Sequence, residues 1–201
     1  MKRIIMHWTA GAHKANGTDK RAYHFIIEGD GSIVKGNSPV SANERITKPN
    51  DGNTYAAHTR GLNTGSIGVA VAAMRGAREV PFDAGASPIT DAQITALVKH
   101  VADLAKQYGI PVTRETILTH AEVQPTLGVK QRNKWDITWL PEMARAGDPV
   151  AVGDMLRTRI RDAQKPAPAN APAVTPVDPQ RAPSGLAALL ARLLAWIGGR
   201  T

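Results

Sequence analysis

Apolar positions along the chain fall into two patterns. Residues 4–8 (IIMHW) form a short run interrupted only by His7, and residues 23–28 form another. Runs of this length bounded by polar residues predict strands. Gly29-Asp30-Gly31 separates the second run from Ser32-Ile33-Val34, a turn signal that predicts a hairpin. Residues 66–73 (SIGVAVAA) are apolar without alternation, the pattern of a strand covered on both faces and set in mid-sheet. Residues 117–120 predict one more short strand.

From Thr90 the period changes. Ile94, Leu97, Val98, Val101, Leu104, Ala105 and Tyr108 fall on one helical face, with Thr90 as N-cap and Gly109 and Pro111 as stop signals. Two further helical stretches are expected over residues 140–145 and 150–162. Strands interleaved with helices predict an α/β domain over residues 1–164, a central mixed β-sheet flanked by helices. Residues 165–183, dense in Pro and Ala, read as a semi-extended linker. In residues 184–201, Leu186, Leu189, Leu190, Leu193, Leu194 and Ile197 follow helical spacing, which predicts a short amphipathic C-terminal helix. Its stripe, with Trp196, Arg192 and Arg200, suits contact with an anionic membrane surface. Packing on the domain or on another copy is the alternative.

Composition narrows the chemistry. A 42% hydrophobic fraction over 201 residues suits one globular domain with an appendage, and a monomer is expected. Lys and Arg outnumber Asp and Glu by 25 to 17, a formal net charge of +8 that favours polyanionic partners. A nucleic-acid binder is disfavoured, since no binding motif is recognisable and Phe and Tyr together number only five. Glycine-rich phosphate loops are also lacking. The apolar run after Met1-Lys2-Arg3 is too short for a secretory signal, and no stretch approaches the ~20 apolar residues of a membrane span. Cytoplasmic synthesis without a signal peptide is the expectation. With no cysteine in the chain, a metal would have to be held by His and carboxylates.

Three of the six histidines, His7, His58 and His120, lie at or just past predicted strand ends, where loops build sites. Taken singly, each would more often be a structural or surface histidine. Together with Asp136, His7 and His120 offer two imidazoles and a carboxylate, a set that suits zinc with one open position. Lys134 and Asp136 are two apart in expected extended chain and so share a side.

At these residues the sequence resembles the type 2 N-acetylmuramoyl-L-alanine amidases, the family of phage lysozyme-type amidases, muropeptide-recycling amidases and peptidoglycan recognition proteins. The likeness runs from residue 3 to about residue 140. It is carried by Ile4-Ile5-Met6-His7-Trp8-Thr9, Ala22-Tyr23-His24-Phe25-Ile26-Ile27 with the following Gly29-Asp30-Gly31, His58-Thr59-Arg60-Gly61, Asn63 with Ser66-Ile67-Gly68-Val69, Thr119-His120, and Lys134-Trp135-Asp136. The resemblance implies Zn2+ on His7, His120 and Asp136. It further implies catalytic roles for Lys134 at the oxyanion and for Tyr23 beside the metal, and substrate contacts from His58, Thr9 and Arg60. The implied activity is hydrolysis of the bond between N-acetylmuramic acid and L-alanine in peptidoglycan, by an endolysin reaching the wall with a holin-type partner. A muropeptide-recycling amidase and a non-catalytic peptidoglycan-binding module are the alternatives.

Two departures matter. Recycling members carry a catalytic Glu on the strand that here reads Ile67 to Ala72, and this chain has no acid there, which leaves the base role to Tyr23, a second water or Asp136. The segment between His120 and Asp136 is also long and basic, with Lys130 and Arg132. It is either a substrate-contacting loop or a solvated insertion.

Overall fold

The computed structural model describes residues 1–48 and 54–166. The linker beyond Pro166 and the amphipathic segment 184–201, with its membrane contact, lie outside the described residues. A five-stranded sheet forms the frame: β1 (Arg3–Trp8), β2 (Phe25–Ile27), β3 (Ile33–Lys35), β4 (Ser66–Val71) and β5 (Ile117–Thr119), in the order β3-β2-β4-β1-β5. β4 is parallel to β1 and β2, β5 is parallel to β1, and β3 closes one edge antiparallel to β2. The sheet is mixed, and helices flank it: the α/β class expected from the sequence. β4 is central and buried at every position, which is why its residues are apolar without alternation.

Alternation along β1 sorts its residues onto two faces. Ile4, Met6 and Trp8 join Ile67, Val69 and Val71 of β4 in the main core, under α2 (Asp91–Gln107) and α4 (Pro149–Ala163). His7 therefore belongs to the opposite face, in register with Ala70. α2 starts as predicted, with Thr90 and Gln93 forming a capping box. The Gln93 amide also donates to the Ile27 and Ala72 carbonyls, tying the helix to the ends of β2 and β4.

Two short helices were not legible in the periodicity. α1 (Gly17–Ala22) depends on the Asn16 capping box with Asp19, and α3 (Val123–Leu127) is a turn and a half ended by Gly128 at φ 68°. Neither is long enough to show a repeating face. The helix expected over residues 140–145 does not form. Met143 N–H bonds the Leu140 carbonyl, the Trp139 indole takes the Met143 carbonyl, and Gly147 N–H returns to Thr138, so these residues make a closed loop.

The deepest polar contact anchors the His120 side of the sheet. Arg157 of α4 and Glu122, both essentially inaccessible, pair in fork geometry at 2.7 and 3.1 Å. Arg157 also donates to the Ile117 carbonyl at 2.8 Å, and Glu122 accepts the Thr119 amide at 2.8 Å. A Cβ on Gly153 would collide with the Glu122 carboxylate, so only glycine lets α4 approach this closely. Removing one partner of a buried pair strands the other charge. The Arg157→Met substitution should cost about 3–5 kcal/mol in urea unfolding, with partial recovery on adding Glu122→Gln. A loss below about 1 kcal/mol would mean that the pair does not anchor α4.

Candidate metal centre and active site

Each of the three candidate ligands is placed by a different device. His7 is carried by β1 and is fully buried. His120 follows the last residue of β5, in the 3-10 turn His120–Glu122 that the Glu122–Arg157 pair holds down. Asp136 is brought in by its backbone, whose carbonyl accepts the Ala121 amide at 2.6 Å. The Trp135 ring meets Trp8 edge-on at 4.5 Å, and Ile137 is fully buried, so the segment is clamped on both sides of Asp136.

These devices bring the side chains together. Asp136 Oδ2 lies 3.1 Å from His7 Nδ1 and 3.2 Å from His120 Nδ1, and one ligand atom from each residue falls within 4.8 Å of the others. Bonds of about 2.0–2.1 Å to a tetrahedral ion put neighbouring donor atoms about 3.3 Å apart, so this spacing fits a common metal. The donor set of two imidazoles and a carboxylate is hard to borderline, as zinc accepts.

The electrostatics agree. Burial pushes the His7 ring down to about 4 against the partial opposition of Asp136, so it is neutral, as a ligand must be. Burial tends to raise the Asp136 carboxyl, but the hydrogen bonds from His120 and His7 outweigh it and hold the group ionised, at about 2. Burial and the charges of Asp136 and Asp19 push the Tyr23 phenol up, which leaves it a proton donor at neutral pH.

A cavity of about 220 Å³ opens over this cluster, lined among others by Thr9, Tyr23, His58, His120, Lys134 and Asp136. Lys134 and Asp136 both line it, as do Arg132, Asn133 and Trp135. Lys134 is solvent-exposed, and its charge adds to the forces keeping His7 unprotonated. Tyr23 stands 5.1 Å from His7, ring to ring. Of the expected substrate contacts, Thr9 lines the cavity, although its hydroxyl accepts the Gly11 amide. His58 also lines it but is buried, with Nδ1 3.3 Å from His7 Nε2 and 2.9 Å from the Thr59 hydroxyl, which makes it a neighbour of the ligand His7. The exposed Arg60 is not among the lining residues, and its carbonyl supports Gln131 instead.

The loop that carries His58 is pinned by amides. Asn43 exchanges bonds with both backbone groups of Ala56 and donates to the Asn63 carbonyl, while Asn63 accepts the Thr59 amide. Gly68 has no alternative, because a Cβ there would come within 2.5 Å of the His58 ring. Gly68 and Ala70, the β4 residues on the His7 face, bring no acid to the site, and Asp136 is the one carboxylate among the cavity-lining residues described. Sequence reasoning missed Gln131. It is buried and bonds His120 Nε2 at 3.1 Å, yet it sits in a segment with no periodicity to mark it.

An α/β sheet presenting two imidazoles and a carboxylate to one buried point defines a candidate metal centre. A family model described as N-acetylmuramoyl-L-alanine amidase matches residues 1–138, and the chain belongs to this family. No curated protein matches the chain. Among solved structures it is similar to the N-acetylmuramoyl-L-alanine amidase LysC from Clostridium intestinale URNW, at 19% identity over 64% of this chain and 86% of that one, TM-score 0.38. It is also similar to the N-acetylmuramyl-L-alanine amidase AmiD from E. coli in complex with its substrate, at 21% identity over 60% of this chain and 48% of that one, TM-score 0.40. The Ph2119 endolysin from Thermus scotoductus MAT2119 bacteriophage Ph2119 matches at 20% identity over 64% and 78%, TM-score 0.41.

The buried imidazoles also set a pH dependence. His24, whose Nδ1 accepts the Gly68 amide at 2.9 Å, is pushed by burial from 6.5 down to about 4. Its folded value lies below its unfolded one, so the unfolded chain binds protons first and stability declines as the pH is lowered. The contribution is complete above pH 6.5 and is lost toward pH 4, on the order of 3 kcal/mol for this ring. Urea unfolding of zinc-free protein at stepped pH should show this decline, shallower in the His24→Gln variant. Equal slopes in the two proteins would contradict the assignment.

Proposed function

We propose that this chain hydrolyses the amide between N-acetylmuramic acid and L-alanine of peptidoglycan, with zinc held by His7, His120 and Asp136, and that it acts on the wall as an endolysin. The observation that carries this reading is the convergence of His7, His120 and Asp136, with Asp136 Oδ2 3.1 and 3.2 Å from the two Nδ1 atoms, beneath an open cavity. When bound, zinc supplies Lewis-acid polarisation of a carbonyl and lowers the pKa of water toward ~7.

The chain's own residues supply the rest. Lys134 at the cavity wall offers a cation to the oxyanion that develops as the amide carbonyl is attacked. Tyr23, at the end of α1 and held protonated by burial, offers a second donor. Thr9 and Arg132 are among the residues lining the space for the substrate. A net charge of +8 favours approach to a polyanionic wall.

A non-catalytic binding module is disfavoured because the ligand set and Lys134 are all present around one cavity. The test is cleavage of purified sacculi and of soluble muropeptide, followed by the appearance of free L-alanine amino groups. Activity on both that is lost with chelation and restored by zinc is expected, and Lys134→Ala should retain zinc while turnover falls by roughly 10²–10³-fold. Cleavage of soluble muropeptide alone would favour a recycling enzyme, and binding without cleavage would sink the amidase reading.

A further inference from the structure

We propose that the cavity at the Arg3 end of β1 is a second ligand site, which takes a phosphate group borne on a small polyol or sugar. Its volume is about 410 Å³, and it is lined by Lys2, Arg3, Ile46, Tyr55 and residues 61–64. None of these lines the metal cavity, and the two sites lie at opposite ends of β1. The strand runs from Arg3 to Trp8, which lines the metal cavity, and that much extended chain spans roughly 17 Å.

The lining points to an anion. Lys2 and Arg3 are cations, and none of the residues around them is acidic. Alternation along β1 turns the Arg3 side chain to the face of Ile5 and His7, where Ser66 stands opposite in register. There its guanidinium meets the Ser66 hydroxyl at 3.4 Å, a long contact to a group already committed to the Leu62 carbonyl. The Arg3 Nε–H is buried with no hydrogen-bond partner. Among the described residues no carboxylate pairs with Arg3, and burial pushes its pKa down. A guanidinium partly withdrawn from water without a counter-charge is costly, and an oxyanion taken into its fork relieves that cost.

The groups beside it are donors as well. Asn63 Oδ1 accepts the Thr59 amide at 2.8 Å, which leaves its NH2 end without a partner among the described residues. Thr64 brings a hydroxyl and Lys2 an exposed ammonium. Positive charge continues past the cavity, because Arg45 and Lys48 line a neighbouring hollow that shares Ile46 and Tyr55 with it and also has no acidic residue. Four cations and no carboxylate suit a group with close to two negative charges and three acceptor oxygens, which is a phosphate. Ile46 and Tyr55 add an apolar wall for the carbon skeleton that carries it.

The test is 1H–15N NMR of the full, uniformly 15N-labelled chain titrated with glycerol 3-phosphate. The Arg3 Nε–H and the backbone amides of residues 61–64 should shift. Arg3→Met should weaken binding roughly tenfold or more while the signals of His7 and Asp136 stay in place. Lys2→Gln changes an exposed side chain and should weaken binding by about threefold, which keeps the test open if Arg3→Met fails to fold. Titration with poly(glycerol phosphate) separates the sources. Tighter binding per phosphate that is lost on replacing Arg45 and Lys48 assigns the site to a polymer laid across the patch, and equal binding assigns it to a free polyol phosphate. Shifts confined to the surroundings of Lys134 and Asp136 would overturn the proposal. So would no shift at millimolar ligand, or a folded Arg3→Met variant that binds as tightly as wild type. None of these outcomes depends on zinc binding or amide hydrolysis.

Discussion

Three donor atoms from distant parts of the chain, His7 Nδ1, His120 Nδ1 and Asp136 Oδ2, have to meet at one buried point, and most of the fold's polar interior serves that requirement. Burying a carboxylate and two imidazoles is costly unless each polar atom is matched. The protein meets the cost with specific holders: parallel register for His7, the Glu122–Arg157 pair for the turn carrying His120, and the Ala121 amide with the Trp8–Trp135 contact for Asp136. Each holder sits on a different element.

The same burial that makes the cluster costly also sets its protonation. Neutral imidazole at His7, ionised carboxylate at Asp136 and protonated phenol at Tyr23 all follow from low solvent access combined with a few hydrogen bonds. Those are the states in which ligands can bind a cation and a phenol can donate. Lys134 differs by remaining exposed to solvent at the cavity wall.

What the sequence made legible follows from periodicity and residue type. β1, β4 and α2 show because their burial repeats over six or more residues, and His7, His120, Lys134 and Asp136 show because few residue types can perform their chemistry. α1 and α3 are too short to leave a periodic face, and residues 140–145 lack a helix because side-chain and backbone bonds close them into a loop. Gln131 and the Asn43–Asn63 scaffold were invisible for another reason: a buried amide in a loop is identified by what it bonds, and no spacing rule encodes that. His58, expected at the substrate, lines the cavity and also lies against His7, a contact that no spacing rule encodes.

Everything above depends on the identity of the metal ligands. A crystal structure of the zinc-soaked protein, with anomalous scattering recorded across the zinc edge, measures it. One zinc is expected within about 2.0–2.2 Å of His7 Nδ1, His120 Nδ1 and Asp136 Oδ2. An empty cluster under saturating zinc, or a metal held by another carboxylate while Asp136 points away, would contradict it.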